Sequence, residues 1–369
     1  MKKILIGTTA LVAVGLVAGQ ASAAEKIKLG LGGYYQSFFK ITDQDQVNGV
    51  DYRSDEMVQE GEIHFLGETV LDNGLKVGVQ VQLEGYTTGD QIDEHYVYFD
   101  GSWGRVLLGA ENSAPYLMHY AAPSAIAGHG VSSPNFFNFS TGTNLAGRVG
   151  QAPSTLINNT SDANKLTYFT PRMAGFQLGL SYTPSVAGGT GGSSGSYGNL
   201  TDNVPGRQEQ IVEVGVNYVN KLGPVDLAVS GGYLKGSLEA DGLVGGIQAD
   251  DLQVWSLGLN VGFSGFTFGG SYVNDNRGLE GNNDITGWDV GLVYAFGPYK
   301  VGAAYANHQR EFDGGRGDDE IKFYEIGGQY AMGPGISLNA GVQFLDADSD
   351  FASGRQDGTS FLIGTALSF

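Results

Sequence analysis

The chain has no cysteine in 369 residues. That excludes a disulfide scaffold, a thiolate metal site and a cysteine nucleophile. Long apolar runs are missing too: beyond the N-terminal segment, nothing approaches the ~18 apolar residues of a membrane helix. Positive charge is scarce, with 20 Lys and Arg against 39 Asp and Glu and a formal net charge of −19. Such a chain repels nucleic acid. The five histidines, His64, His95, His119, His129 and His308, stand at no ligand spacing, so metal catalysis is not expected. No nucleophile elbow or phosphate-binding loop occurs.

What is abundant is glycine, 60 residues, with 19 Tyr and 19 Phe, while hydrophobic residues make up only 41%. That balance fits a chain whose strands show an apolar medium on one face and water on the other. The stretch Leu75–Glu84 is the clearest case. Leu75, Val77, Val79, Val81 and Leu83 share one face, and Lys76, Gly78, Gln80, Gln82 and Glu84 the other. Period two over about ten residues is a strand of the length that crosses a bilayer at a tilt. The same alternation runs through Phe176–Tyr182, Val212–Tyr218, Trp288–Tyr294 and Ile336–Phe344.

Short turn signals join the strands in pairs: Asp72–Gly74, Gly101–Gly104, Ala174–Gly175, Leu222–Pro224, Ser264–Gly265, Gly297–Pro298 and Gly333–Gly335. Seven hairpins follow, plus a first strand from Lys26 to about Lys40 and a last from about Thr359 to Phe369, an inferred sixteen strands. A sheet edge left open in lipid strands unpaired backbone groups, so the first and last strands must meet. The fold expected is an all-β transmembrane antiparallel barrel, roughly 30 Å across, with tight turns on the periplasmic side and long loops outside. Its own strand side chains do not fill that lumen. Tyr35, Phe39, Tyr86, Tyr168, Tyr182, Tyr218, Tyr294, Tyr299, Tyr330 and Phe344 cluster near strand ends, as interface girdles do.

Met1-Lys-Lys, an apolar run from Ile4 to Ala18 and the small-x-small site Ala21-Ser-Ala23 form a secretory signal over residues 1–23, leaving 24–369 as the barrel domain. One connection, 111–163, is far longer than the rest. It carries Tyr116, Leu117, Met118, His119, Tyr120, Phe136, Phe137, Phe139, Leu145 and Leu156. So much apolar surface is expected to fold inward against the wall and constrict the lumen.

The start Lys26-Ile-Lys-Leu-Gly-Leu-Gly-Gly-Tyr-Tyr35, the hairpin spacing, the long third outer connection and the terminal Leu367-Ser-Phe369 resemble the Gram-negative general porins, particularly the α-proteobacterial type. The resemblance implies a homotrimer of sixteen-stranded barrels in the outer membrane, in contact with lipid and lipopolysaccharide, each passing small hydrophilic solutes by diffusion. In similar porins the inward loop is rich in carboxylates. Here 111–163 holds only Glu111, Arg148 and Asp162 as charges, so a milder constriction lined by amides and aromatics is expected. Candidate pore-lining residues are Lys28, Lys40, Glu62, His64, Glu68, Lys76, Glu84, Arg105, Glu111, Arg148, Lys165 and Arg172. The acidic outer loops favour cations mildly. No cofactor or enzymatic activity is expected. Asp313, Asp318, Asp319, Asp346 and Asp348 form weak Ca²⁺ candidates, and Arg316-Gly-Asp318 a weak adhesion triplet. The alternatives are a substrate-selective channel for sugar or phosphate, and a barrel serving as an adhesin or enzyme platform.

Overall fold

The computed structural model describes residues 26–46, 49–85, 91–133, 136–140, 154–187, 200–313, 317–350 and 355–369. The signal segment 1–23, Tyr86, Leu145, Arg148 and Arg316 lie outside them.

The strands are β1 (Lys28–Gln44), β2 (Asp55–Val70), β3 (Lys76–Glu84), β4 (Ile92–Gly101), β5 (Gly104–Ala110), β6 (Asn164–Phe169), β7 (Phe176–Ser185), β8 (Gln208–Leu222), β9 (Val225–Leu238), β10 (Leu243–Val244), β11 (Ile247–Gln248), β12 (Gln253–Phe263), β13 (Phe266–Asp275), β14 (Ile285–Phe296), β15 (Tyr299–Glu311), β16 (Asp318–Gly333), β17 (Ile336–Ser349) and β18 (Gln356–Ser368). A single helical turn, α1, covers Ala114–Leu117. All strands except the small β10–β11 pair close into one antiparallel barrel in chain order.

Closure is made by β1 against β18, from Tyr34 opposite Ser368 to Gln44 opposite Gly358. Phe369 completes it: its N–H donates to the Gly33 carbonyl and its carbonyl accepts from the Gly33 N–H, each at 3.0 Å. All seven tight turns read from the sequence join the strand pairs β2–β3, β4–β5, β6–β7, β8–β9, β12–β13, β14–β15 and β16–β17. At the β12–β13 turn Ser264 and Gly265 have φ of 50° and 87°. Positive φ at both central residues matches the twist of paired strands, which is why glycine serves there.

Alternation sorts the faces. Leu178, Leu180, Leu257, Leu292, Ile326, Phe361 and Ile363 are exposed on the outside. Between them, Ser181, Glu213, Ser230, Asp289, Glu325 and Gln343 point inward and are buried. The inner face is not uniformly polar. Ile211, Leu234, Val254 and Val273 form an inner apolar cluster on β8, β9, β12 and β13. Ala304, Ala306, Ile321, Phe323, Leu345 and Ala347 form a second on β15–β17. Apolar side chains inside a wet barrel need a cover, and the 111–163 connection supplies it.

Gly265→Val should destabilise the barrel. An added Cβ meets the Ala295 carbonyl oxygen at 2.7 Å, and a β-branched residue in left-handed φ costs about 1–2 kcal/mol. Urea unfolding in detergent, read against the wild-type midpoint, checks this.

Candidate functional site

The 111–163 segment starts from β5 and crosses the inner face of the barrel strand by strand. Pro115 opens α1, and Ser113 precedes it in extended conformation. The Ala114 N–H donates to Ser181 Oγ on β7 at 2.9 Å. Further along, the Tyr120 N–H donates to Ser230 Oγ on β9 at 3.0 Å, and the Ala122 N–H to Asp289 Oδ1 on β14 at 2.8 Å. Ser124 Oγ donates to Glu325 on β16 at 2.5 Å, and Gln343 on β17 donates to the His129 carbonyl at 2.9 Å. The Asn138 amide donates to Gln343 at 2.8 Å, and Ser140 exchanges two bonds with Gln44 on β1. Every wall partner named lies on the inward face, so the described residues of the segment run inside the lumen.

Glycine makes this approach possible. Inward glycines at 179, 215, 232, 258, 291, 327 and 341 stand one per strand beneath the segment. A Cβ on Gly258 would sit 1.9 Å from the Tyr120 carbonyl oxygen, and one on Gly341 2.2 Å from Ile126 Cδ1. Backbone and wall meet there at a distance that no side chain permits.

The return leg is pinned as well. Thr155 Oγ1 lies 2.6 Å from Ser271 Oγ and donates to Asp289 at 3.0 Å. Asn159 donates to Asp275, and Thr160 to both oxygens of Glu213. Ile157 caps the β8–β13 apolar cluster, while Val131 and Phe139 cap the one on β15–β17. Burying each such side chain is worth roughly 1.5–3 kcal/mol.

His129 lies between rings, with centroids 4.1 Å from Phe38 and 4.0 Å from Phe136. Its Nδ1 donates to the Ala127 carbonyl at 3.1 Å. Its Nε2 is buried with no hydrogen-bond partner among the described residues, so the neutral ring fits. Burial, with Lys40 nearby, lowers its pKa to about 4. Burial likewise lowers His119 to about 4; its Nε2 meets Thr155 Oγ1 at 3.1 Å. Burial pushes the Glu111 carboxyl above its ordinary range.

Strands β2–β5 carry a different inner surface. Tyr34 lies 2.5 Å from Glu60 and 2.6 Å from Glu62, and His64 Nε2 lies 2.7 Å from Glu62. Asn112 donates to Glu94 at 2.8 Å. Carboxylate oxygens of Glu60, Glu62 and Glu84 come within 4.8 Å of one another, as do those of Glu62, Asp93 and Glu94. Oxygen donors so arranged suit hard cations. Closer to the short turns, Lys76 pairs with Glu68 at 3.2 Å, Tyr98 donates to Glu68 at 2.5 Å, and the Arg105 guanidinium lies 4.3 Å over the Tyr98 ring. Lys76 and Glu68 keep 39% and 34% of their side-chain surface open to water.

Of the residues singled out from the sequence, Lys28, Lys40, Glu62, His64, Glu68, Lys76, Glu84 and Arg105 share this inward face. Three placements need correcting: Glu62 and Glu111 point inward but are buried, each 8% exposed, and Lys165 is buried as well. Lys165 is sealed beneath the segment, 5% exposed, and donates to the Glu111, Ser161 and Ala163 carbonyls. Those carbonyls close the neck of the segment around its ammonium. Arg172 lies at the β6–β7 turn, exposed beside the lumen mouth, bonded to the Gly175 carbonyl and to Gln177, which shares inward parity with Ser181. The calcium candidates do not converge. Asp318 and Asp319 are successive strand residues and point to opposite faces; Asp346 faces outward and meets Arg355 at 3.5 Å. Glu60 and Glu94 were not singled out, although both share parity with neighbouring inward positions, Glu60 with Glu62 and Glu94 with Tyr96 and Tyr98.

Residues 7–350 match the family described as Gram-negative porin. Among solved structures, the barrel is similar to a loop-deletion mutant of OmpT, an outer membrane protein of Vibrio cholerae: 15% identity, 94% of this chain and 100% of that one, TM-score 0.64. It is also similar to an anion-selective porin from Comamonas acidovorans, at 16% identity over 93% and 100% with TM-score 0.63. An uncharacterized protein of Rickettsia typhi is 28% identical over 155 residues, 36% of this chain. The match spans 33% of that relative's length.

Two outcomes follow from the seating of the segment. Gly258→Val should lift the Tyr120 region off the wall and raise open-channel noise in single-channel recordings, with the barrel still folded. The histidines set a pH window: an unfolded or released His takes a proton near pH 6.5, and the seated ones only near 4. Their contribution to seating is complete above about 6.5 and lost as pH falls toward 4. Hydrogen exchange of residues 117–133 should therefore speed up between pH 7 and 4.5, after correction for intrinsic rates, and less so in His129→Phe.

Proposed function

Because the chain belongs to the Gram-negative porin family and forms an outer-membrane channel, we propose that it passes small hydrophilic solutes and ions by passive diffusion with a mild preference for cations. One observation carries this reading: the described part of the inward segment is bonded to the wall from β7 round to β1, and on β2 and β3 Glu68 and Glu84 stay half-open to the lumen, beside the buried carboxylates of Glu60, Glu62 and Glu94. Fixed charge along a water path enriches the opposite ion. On this reading the chain has no catalytic role, and residues 1–23 are an export signal removed before assembly.

We read the assembly as a homotrimer. One Vibrio cholerae OmpT structure is described as a trimer form. On this chain, outward Tyr and Trp occupy every strand from β6 to β9 and β12 to β16 except β10 and β11, including Tyr168, Tyr182, Tyr218, Tyr233, Trp255, Tyr272, Trp288 and Tyr324. From β17 through β18 and β1 to β5, Tyr35 is the one outward Tyr or Trp among the described strand residues. Such rings anchor a barrel at lipid interfaces. A sector without them fits contact with further copies. At the upper rim, Glu320, Lys322, Asp346 and Asp348 face outward at the level of lipopolysaccharide headgroups.

In planar bilayers under a KCl gradient, the reversal potential should have the sign of potassium preference. Substituting Glu62, Glu84 and Glu94 together by Gln should move it toward zero. A chloride preference in the wild type overturns the cation reading.

A further inference from the structure

Near the short turns, a tyrosine ring lies across the inner face of the sheet. Glu68 on β2, Gly78 on β3, Tyr98 on β4 and Leu107 on β5 stand side by side in register. A Cβ on Gly78 would sit 2.2 Å from Tyr98 Cζ. Glycine therefore makes a bed for the ring, which crosses β3 and donates its hydroxyl to Glu68 on the next strand at 2.5 Å. The Arg105 guanidinium lies over this ring, 4.3 Å from its centroid. Arg105 is half-buried and on the inward parity of β5. Its Nε is shut in without a hydrogen-bond partner among the described residues, which leaves the Nη end of the fork to the lumen. Asp100 stands opposite in register, yet among the described residues no ion pair joins the two. Glu68 is already taken by Tyr98 and by Lys76, the latter at 3.2 Å. With Lys28 opposite Glu68 and Lys76 opposite Asp100, three bases meet two acids here.

We propose that Arg105 is a docking post for a carboxylate or phosphate group of a solute in transit, and that Tyr98 positions it. A guanidinium offers a planar fork of N–H donors that matches an oxyanion two bonds at a time. Stacking on an aromatic face fixes the plane of that fork. The ring is itself held, by its bed on Gly78 and its bond to Glu68. An arriving oxyanion therefore has little left to order, and preorganisation of this kind favours binding. Asp100, a like charge for the anion, limits how tightly it is held. A single post at the periplasmic end delays an anionic solute and leaves the ion preference of the whole lumen to the other fixed charges. It acts only in an open diffusion channel, the reading proposed above.

The test is single-channel recording at constant potassium, with chloride replaced stepwise by succinate in one arm and by inorganic phosphate in the other. Expected is a saturable fall in current, beyond the linear decline that slower diffusion of the larger anion gives. The arm that saturates at lower concentration names the preferred group. Arg105→Gln should weaken the apparent affinity roughly tenfold, the ratio that about 1.4 kcal/mol makes, and Asp100→Asn should strengthen it. Tyr98→Leu should weaken it too, while Tyr98→Phe, which keeps the ring, should retain it. Channel steps in KCl show that each variant folds. A linear decline in both arms, or a saturable fall that Arg105→Gln leaves unchanged, overturns the proposal. Wild-type affinity in Tyr98→Leu overturns the positioning role. Absence of any conductance from folded wild-type protein overturns instead the diffusion reading.

Discussion

The structure depends on how closely a backbone segment can approach the inside of a sheet. A residue with a Cβ holds another chain away from the strand beneath it. Inward glycines on β7, β8, β9, β12, β14, β16 and β17 remove that barrier along one continuous path. Peptide N–H groups of the segment then reach wall hydroxyls and carboxylates directly. These seven are part of the 60 glycines that set the composition apart. Others serve the turns, where positive φ is needed, as at Gly265.

Close approach has a cost that the same contacts offset. Seating the segment buries Glu213, Asp289 and Glu325. A buried carboxylate without donors is strongly unfavourable. Each therefore meets at least two: Thr160 and Thr183 at Glu213, the Ala122 N–H with Ser271 and Thr155 at Asp289, Ser124 and Gln343 at Glu325. Outbound and return legs both reach Asp289, through the Ala122 N–H and Thr155. The apolar inner clusters add burial on either side of these polar posts. A segment held at so many points is a fixed wall of the lumen, and the passage is defined by what it leaves uncovered.

The barrel was legible because its signals are local. Period two, turn residues and an aromatic C-terminal residue each act over a few positions, and closure follows from the physics of an open edge in lipid. The long connection was recognisable by length and by its Phe and Tyr. Its path was not, because it is set by contacts between residues about a hundred or two hundred positions apart, such as Asn138 with Gln343. One cue was available: Ile321 and Phe323 share parity with Glu325. Apolar residues on a lumen parity announce a covered patch. Lys165 misled for the reverse reason. Its parity is inward, but parity says nothing of cover.

Inside and outside are asymmetric on the same side of the barrel. The strands whose inner surface the segment leaves uncovered, β2–β5, are among those whose outer surface lacks Tyr and Trp. They also include short strands: β3, β4 and β5 have 9, 10 and 7 residues, against 15 and 14 in β8 and β9, which carry Tyr218 and Tyr233. A tall, ring-bearing wall suits lipid, and its inner face can carry a bulky cover without narrowing the far side. A low wall without outward Tyr or Trp is less firmly anchored at the bilayer interfaces, and gains more from protein neighbours. With the cover on the other side, the inner surface of β2–β5 is where Lys76 and Glu68 keep side-chain surface open to water.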